Sequence, residues 1–318
     1  MNDLQKKIKG RIQAAQRVLI TSHVRPDGDA IGSSLALGLA LLDAGKQVQV
    51  VLSDGLSASF KHLPGADLVR TKANGAFDLI ISVDCSDLNR VGKALDGYRA
   101  PDIIIDHHVT GEAFGTLNLV EPEAVATASV LTRHMHEWGL IITAPIAANL
   151  ITGLITDTLG FRTSNTTSEA LRQTADLLDL GVDMGSLYYR SLVRRTYPAA
   201  KYWGAGLTSL ERADGIIWVT LTVADRNISG YVGNDDADLI NIVSSIDGAK
   251  VAIIFVEQNT GKTKISWRAL KPNIDVSKVA SQFSGGGHKA AAGAEVDGSL
   301  VEVKERVLKA TREILKSA

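Results

Sequence analysis

Cysteine is almost absent from this 318-residue chain, because Cys85 is its only cysteine. A single thiol cannot form a disulfide within the chain, so a disulfide-stapled secreted scaffold is excluded and a reducing compartment fits. The first residues, Met-Asn-Asp-Leu-Gln-Lys-Lys, also lack the apolar run of a secretory signal peptide. We therefore expect a soluble, cytoplasmic protein.

An excess of charge of either sign is also missing. Lysine and arginine total 34, aspartate and glutamate total 35, and the formal net charge is −1. The field around the whole molecule is therefore weak, which argues against binding of long duplex nucleic acid through bulk charge. A local basic site is still compatible with this balance.

The chain offers only one stretch that approaches the length of a membrane span. Residues 138–156 are uncharged, but they include Thr143, Pro145 and Asn149. A threonine with a proline two residues later is typical of a helix start. We therefore predict a buried helix here and no membrane partner.

Apolar, β-branched runs dominate the N-terminal part, and an apolar content of 45% is ample for two packed cores. Four such runs begin at Val18, Gln47, Phe77 and Pro101. Near-continuous apolar strands separated by helical patterns predict a parallel sheet that is covered on both faces. The fold class that we expect is α/β, with a second and smaller α/β domain after it.

The first predicted strand, which opens at Val18, leads into a loop with three potential metal ligands. These are His23, Asp27 and Asp29. A helix is predicted to follow, with Ser33 or Ser34 near its start and Gly45 at its end. Open α/β sheets bind anionic substrates where strand ends meet a helix N-terminus. The alternative is an Asp-Gly turn that only caps the helix.

Further polar residues follow the third and fourth strands. Asp84 ends the third, and Asp106, His107 and His108 end the fourth, so parallel pairing would bring them to the edge that carries the first loop. Asp157 closes another apolar segment directly before a glycine-containing turn. Each acid could instead cap a helix, and His108 could be an ordinary loop histidine. Three coincidences at equivalent strand ends favour a site.

The composition of this set predicts its chemistry. One cysteine cannot build the thiolate sites typical of structural zinc, whereas carboxylates with some imidazole suit manganese or magnesium. Two such cations bridged by a carboxylate favour in-line attack of an activated water on phosphorus. The set therefore predicts a centre that hydrolyses phosphate esters.

Four ordered motifs resemble those of the DHH phosphoesterase superfamily, of the nanoRNase and 3′-phosphoadenosine 5′-phosphate (pAp) phosphatase type. They are His23-x-x-Pro26-Asp27-Gly-Asp29, Val83-Asp84, Asp106-His107-His108 and Thr156-Asp157-Thr158. The resemblance implies two Mn²⁺ ions, for which Mg²⁺ or Co²⁺ could substitute. It assigns His23, Asp27 and Asp84 to one ion, and Asp29, Asp84, His107 and Asp157 to the other.

The same resemblance implies roles for residues that do not hold metal. His108 would contact the scissile phosphate, and Asp106 would orient the histidines, so both are candidate catalytic residues. Arg90, which follows Asp84 in an Asn-Arg-Val-Gly segment, would be a substrate-binding residue.

The C-terminal part resembles the DHHA1 domain, through Arg268 and the Ser-Gly-Gly-Gly-His run from Ser284. That resemblance implies that Arg268, Gly286, Gly287 and His288 bind the substrate. The domain boundaries that we expect are a catalytic domain over 1–187, a linker helix over 188–208 and a DHHA1 domain over 209–318. The tyrosines and arginines of 188–203 favour a linker that packs on both domains, with base stacking as the alternative.

The function expected from this resemblance is Mn²⁺-dependent hydrolysis of short oligonucleotides to mononucleotides and of pAp to AMP. The expected partners are therefore short oligonucleotides and 3′,5′-bisphosphate nucleotides, and a homodimer is left open. A phosphodiesterase for linear or cyclic dinucleotides and a non-catalytic sensor of small nucleotides are the alternatives. An inorganic pyrophosphatase is disfavoured by the Gly-Gly-Gly-His run, because that family carries a different C-terminal domain.

Overall fold

The β-branched runs form the parallel sheet that the sequence predicts. The computed structural model describes residues 1–108, 113–287 and 289–317 of the chain. The strands of the first sheet are β1 Arg17–Thr21, β2 Gln47–Val51, β3 Val69–Arg70, β4 Leu79–Val83, β5 Ile103–Asp106 and β6 Leu117–Val120. Every neighbouring pair in this sheet is parallel.

The strand order of this sheet is β3-β2-β1-β4-β5-β6. The chain therefore adds β2 and β3 on one side of β1 and then adds β4, β5 and β6 on its other side, so the order of strand addition reverses between β1 and β4. Open parallel sheets bind ligands beyond the carboxyl ends of their strands at such a reversal. The topology thus marks the ends of β1 and β4 as the place to look for a site.

Helices cover one face of the sheet, and short irregular segments cover the other. The helices of this part are α1 Asp3–Ala14, α2 Gly28–Asp43, α3 Thr127–His134, α4 Ala144–Asp157, α5 Ser168–Leu178 and α6 Met184–Tyr188. Alternate strand residues such as Ile20 and Ile81 pack with these helices. Leu19 and Ile80 face the opposite way and pack against the 3₁₀ segment Leu88–Leu95 and the buried Cys85.

A second sheet follows, with order β11-β12-β10-β9-β8-β7. Its strands are β7 Glu211–Ala213, β8 Ile216–Leu221, β9 Val251–Glu257, β10 Lys262–Ala269, β11 Gly286–Gly287 and β12 Ala291–Asp297. Only β8 and β9 pair in parallel, and the other pairs are antiparallel. The helices are α7 Tyr197–Thr208, α8 Val223–Ser229, α9 Leu239–Val243, α10 Ser277–Ser281 and α11 Leu300–Ser317. Each face of the sheet has its own apolar core.

The chain divides into two compact units, 1–194 and 195–318. Tyr188 packs on the core of the first unit, whereas Tyr202 is fully buried in the second. Between them, a π-helical turn over Tyr189–Val193 precedes α7. The α/β fold class is confirmed, and the expected boundaries at 187 and 208 stay predictions.

No helix in the described part of the chain combines the length and the apolar character that crossing a bilayer requires. The uncharged run over 138–156 instead supplies most of α4, in which Leu150, Ile151 and Leu154 are fully buried. This part of the prediction, a buried helix, is confirmed.

Candidate metal centre

The ends of three strands supply the centre. His23 lies two residues after β1, Asp84 directly follows β4, and His107 and His108 directly follow β5. Asp84 has a φ of 53°, a left-handed conformation that aspartate tolerates better than most residues. This turn ends the strand at the point where the strand order reverses.

Asp27 and Asp29 belong to the start of α2, which begins at Gly28. The predicted start near Ser33 or Ser34 is therefore wrong, because the Asp27 carboxylate accepts hydrogen bonds from the Asp29 and Ala30 amides at 3.1 Å and caps the helix earlier. Capping and ligand placement are thus not alternatives for Asp27. The same carboxylate has an oxygen 3.8 Å from His23 Nε2.

Asp157, the last residue of α4, reaches the centre because α2 and α4 pack closely. A Cβ on Gly32 would lie 2.4 Å from the Asn149 carbonyl oxygen, and a Cβ on Gly153 would lie 2.5 Å from Asp29 Oδ1. Only glycine permits this approach of the two helices. Asp157 Oδ2 then lies 3.5 Å from His107 Nε2.

The imidazoles of His23 and His107 both face the carboxylates with Nε2. His23 Nδ1 lies 2.9 Å from the Val24 carbonyl oxygen, and His107 Nδ1 lies 3.2 Å from that of Ala124. Because a carbonyl oxygen only accepts, each Nδ1 carries a proton, so the neutral form of each ring offers its lone pair at Nε2. This is the orientation that a metal-binding histidine needs.

Asp84 connects the two halves of the centre, of which one contains His23 and Asp27 and the other contains Asp29, His107 and Asp157. Its Oδ2 lies 3.5 Å from His23 Nε2, and its Oδ1 lies 3.6 Å from His107 Nε2. In the described part, three groups of residues have potential ligand atoms within 4.8 Å of one another. They are His23–Asp27–Asp84, Asp29–His107–Asp157 and Asp84–His107–His108.

The electrostatics of the centre reflect crowded negative charge. Burial, together with the charge of Asp84, raises the pKa of Asp29 to about 7. Burial also acts to raise the pKa of Asp84, but a hydrogen bond with His23 and the imidazole of His107 hold that pKa at about 2. A divalent cation would offset this repulsion. The donor set, oxygen-rich with imidazole, therefore fits divalent metal ions.

His108 is held differently from the other two histidines. Its Nδ1 lies 2.7 Å from Asp106 Oδ1, and the same oxygen accepts the backbone N–H of His107 at 2.8 Å. Asp106 is almost fully buried. Asp106 therefore contacts the ring of His108 and the backbone of His107, and its role in orienting the histidines stays a prediction.

The remaining predicted site residues lie elsewhere. The Arg90 carbonyl accepts the Val24 amide at 2.6 Å, which places this residue beside the β1 loop, and its guanidinium lies 3.4 Å from Ser86 Oγ. Arg268 belongs to the second unit. There the row Trp267–Ala292–Gly287 crosses three adjacent strands, so Arg268 lies near Gly286 and Gly287 in the sheet. His288 lies outside the described residues.

Sequence reasoning missed Thr127. Its amide donates to Asp29 Oδ2 at 2.6 Å, and its hydroxyl donates to Asp84 Oδ1 at 3.0 Å. Ala128 and Ser33 add hydrogen bonds to Asp29 Oδ1 at 3.0 and 3.1 Å. No local pattern in the sequence indicates that the residue at the start of this helix meets two carboxylates from other segments.

Comparison with known proteins identifies the family. Residues 17–158 match the profile of the DHH family, N-terminal domain, and residues 228–317 match that of the DHHA1 domain. The bifunctional oligoribonuclease and PAP phosphatase NrnA of Thermus thermophilus is 34% identical over 95% of this chain and 91% of its own length. The chain belongs to the DHH family.

Two other proteins are similar to this chain over comparable lengths. The probable bifunctional oligoribonuclease and PAP phosphatase NrnA of Streptococcus mutans is 30% identical over 91% of this chain and 92% of its own length. The chain is also similar to the crystal structure of an exopolyphosphatase-related protein from Bacteroides fragilis, with a TM-score of 0.88 and 25% sequence identity. The superposition covers 98% of this chain and 97% of the other chain. The resemblance to DHH and DHHA1 domains is confirmed.

Proposed function

We propose that this DHH protein is a Mn²⁺-dependent phosphoesterase that hydrolyses short oligonucleotides to mononucleotides and dephosphorylates pAp to AMP. The observation that carries the proposal is the convergence of carboxylates and imidazoles at the reversal of the sheet, with Asp84 shared between two of their groups. The choice of substrates draws on relatives named oligoribonuclease and PAP phosphatase that match more than nine-tenths of this chain.

The proposed centre holds two ions. One would be held by His23, Asp27 and Asp84, and the other by Asp29, Asp84, His107 and Asp157. The close groups His23–Asp27–Asp84 and Asp29–His107–Asp157, together with the 3.6 Å between Asp84 Oδ1 and His107 Nε2, support this division. When bound, such ions activate water and neutralise charge on phosphoryl oxygens. Mn²⁺ is proposed because the set combines carboxylate with imidazole, and Mg²⁺ or Co²⁺ would substitute.

His108 is proposed to act on the substrate rather than on metal. Its Nδ1 proton is engaged by Asp106 at 2.7 Å, so the ring orientation is fixed before substrate arrives. Burial acts to lower the pKa of His108, but the hydrogen bond to Asp106 and the charge of Asp84 raise it overall. A protonated imidazole in this position would donate to a phosphoryl oxygen.

Substrate capture is proposed for the second unit and for Arg90. Arg268 is half-buried at the end of β10, and burial lowers the pKa of its guanidinium while Asp236 and Asp238 act to raise it. A partly desolvated guanidinium suits recognition of a phosphate or a base. Gly286 and Gly287 are exposed and lack side chains, so an anion can approach their backbone closely.

The test is one substrate panel with the purified full-length protein. The panel contains pAp, 5′-labelled dinucleotides to hexanucleotides, cyclic dinucleotides and pyrophosphate, each with Mn²⁺, Mg²⁺, Co²⁺ or excess chelator. We expect AMP from pAp and mononucleotides from the short oligomers, with the highest kcat/KM in Mn²⁺ and none in chelator. Turnover confined to cyclic dinucleotides or pyrophosphate would overturn the substrate assignment. Binding of nucleotides without turnover in any metal would show a sensor instead.

A further inference from the structure

Thr127 contacts both halves of the candidate metal centre. Its backbone amide donates to Asp29 Oδ2 and its hydroxyl donates to Asp84 Oδ1, although these two carboxylates lie on different elements. Thr127 is completely buried, and Asp29 and Asp84 are only 1% and 2% exposed. Water therefore has almost no access to replace either contact.

The hydroxyl contact restricts the rotation of the Asp84 carboxylate. The terminal torsion of an aspartate has a broad energy well, so hydrogen bonds largely decide which way its oxygens point. Thr127 is β-branched and lies at the start of α3, so its own χ1 is restricted and its hydroxyl is held in place. The bond engages one lone pair of Oδ1 and leaves Oδ2 facing His23 Nε2 at 3.5 Å.

The amide contact has a different role, because any residue at position 127 other than proline would make it. It fixes Asp29 on the first turn of α3, together with the Ala128 amide at 3.0 Å. The side chain and the backbone of one residue thus hold one carboxylate each. A change of side chain therefore disturbs Asp84 and spares Asp29.

We infer that Thr127 is a positioning residue of the metal centre, whose hydroxyl sets the orientation in which Asp84 meets both ions. The inference rests on the proposed function, since it concerns the same centre. Hydrogen-bond partners of metal-binding groups commonly contribute 10- to 100-fold to metal affinity or activity. Because Asp84 is shared, loss of the hydroxyl is expected to weaken both ions rather than one.

The experiment compares Thr127→Val, Thr127→Ser and Thr132→Val. Valine keeps the shape of threonine without the hydroxyl, whereas serine keeps the hydroxyl. Thr132 is the matched control, because it lies on the same helix and its hydroxyl donates to the Ala128 carbonyl at 2.7 Å. Mn²⁺ affinity is measured by calorimetry on metal-free full-length protein. Thermal unfolding of the metal-free forms and kcat and KM for pAp at saturating Mn²⁺ are measured alongside.

We expect Thr127→Val to weaken Mn²⁺ binding by about 10- to 100-fold and to lower kcat while KM changes little. Thr127→Ser is expected to recover most of both losses, and Thr132→Val to bind Mn²⁺ as the wild type does. A purely structural role of Thr127 would lower the metal-free melting temperature of Thr127→Val and leave its Mn²⁺ affinity unchanged. That result would overturn the inference.

Two further outcomes are distinguishable. If Thr127→Val does not fold, Thr127→Ala removes the same hydroxyl without added bulk and replaces it in the comparison. A wild-type protein that binds no Mn²⁺ or hydrolyses no member of the panel would overturn the proposed function itself. Wild-type binding and turnover combined with unchanged affinity in the hydroxyl-free variant would overturn the role of Thr127 alone.

Discussion

Asp84 is the single residue on which the proposed centre depends most, since two potential ligand groups share it. We expect Asp84→Asn to abolish Mn²⁺-dependent turnover and to reduce Mn²⁺ binding strongly, because an amide cannot bridge two cations as a carboxylate does. Asparagine tolerates the left-handed backbone at this position, so the fold should survive. Metal content and circular dichroism check both statements.

The control for this variant is Asp78→Asn, at the opposite end of the same strand. Asp78 precedes β4 and accepts the backbone amides of Gln16 and Arg17 at 2.9 Å, away from the candidate ligands. This variant should bind Mn²⁺ normally. Near-normal turnover in Asp84→Asn would contradict the two-ion centre.

His108 and His107 are neighbours in sequence with different proposed tasks. We expect His108→Ala to keep its Mn²⁺ affinity and to lose about 10²- to 10³-fold in kcat, the range for removal of one hydrogen-bond donor to an oxyanion in the transition state. His107→Ala should lose Mn²⁺ affinity, because its Nε2 faces Asp84 and Asp157 within 3.6 Å. Calorimetry and steady-state kinetics separate the two. Equal loss of Mn²⁺ in both variants would make His108 a metal ligand.

At the scale of elements, the centre depends on the close contact between α2, α3 and α4. A Cβ on Gly153 would lie 2.5 Å from Asp29 Oδ1 and 2.6 Å from the Cβ of Ala128. We therefore expect Gly153→Ala to lower the free energy of unfolding by about 1–3 kcal/mol and to weaken Mn²⁺ binding. Urea unfolding and calorimetry measure these effects.

Gly10→Ala is the matched control for this substitution. Gly10 lies within α1 and a Cβ there would meet no atom within 4 Å. Alanine is the better helix former by about 1 kcal/mol, so this variant should be as stable as the wild type or more stable. If Gly153→Ala kept wild-type stability and metal affinity, the helices would have room for an added methyl group, and the close contact would not be required for the centre.

The elements also show how far the sequence could lead. Strand ends were predictable because β-branched runs stop at Asp84 and Asp106, and parallel strands must deliver such residues to one edge. The start of α2 at Gly28 was not predictable from the sequence. Aspartate and serine are almost equally favourable N-cap residues, so the local sequence does not decide between a cap at Asp27 and one at a later serine. The role of Thr127 depends on where α3 lies in three dimensions, which no local pattern contains.

At the scale of the whole molecule, a net charge of −1 limits the length of substrate that can be bound productively. Each phosphate needs a local contact, and the proposed contacts are confined to the metal centre, Arg90 and the Arg268 region. We expect kcat/KM to be highest for pAp or oligomers of about two to five nucleotides and to fall for longer strands, with a shallow dependence on salt. Kinetics at two salt concentrations test this. A value that rises steadily with length and drops steeply with salt would indicate a long-strand nuclease.

A chain with one cysteine cannot form a disulfide within itself, but the candidate metal centre would offer a cross-link of another kind. The candidate ligand atoms come from segments spread between His23 and Asp157, all within the first unit. Ions held there would close large chain loops in the folded state and stabilise it by mass action, as long as the unfolded chain binds them weakly. The stability of the first unit would then depend on the concentration of free metal, so that loss of metal would weaken the fold as well as remove the activity.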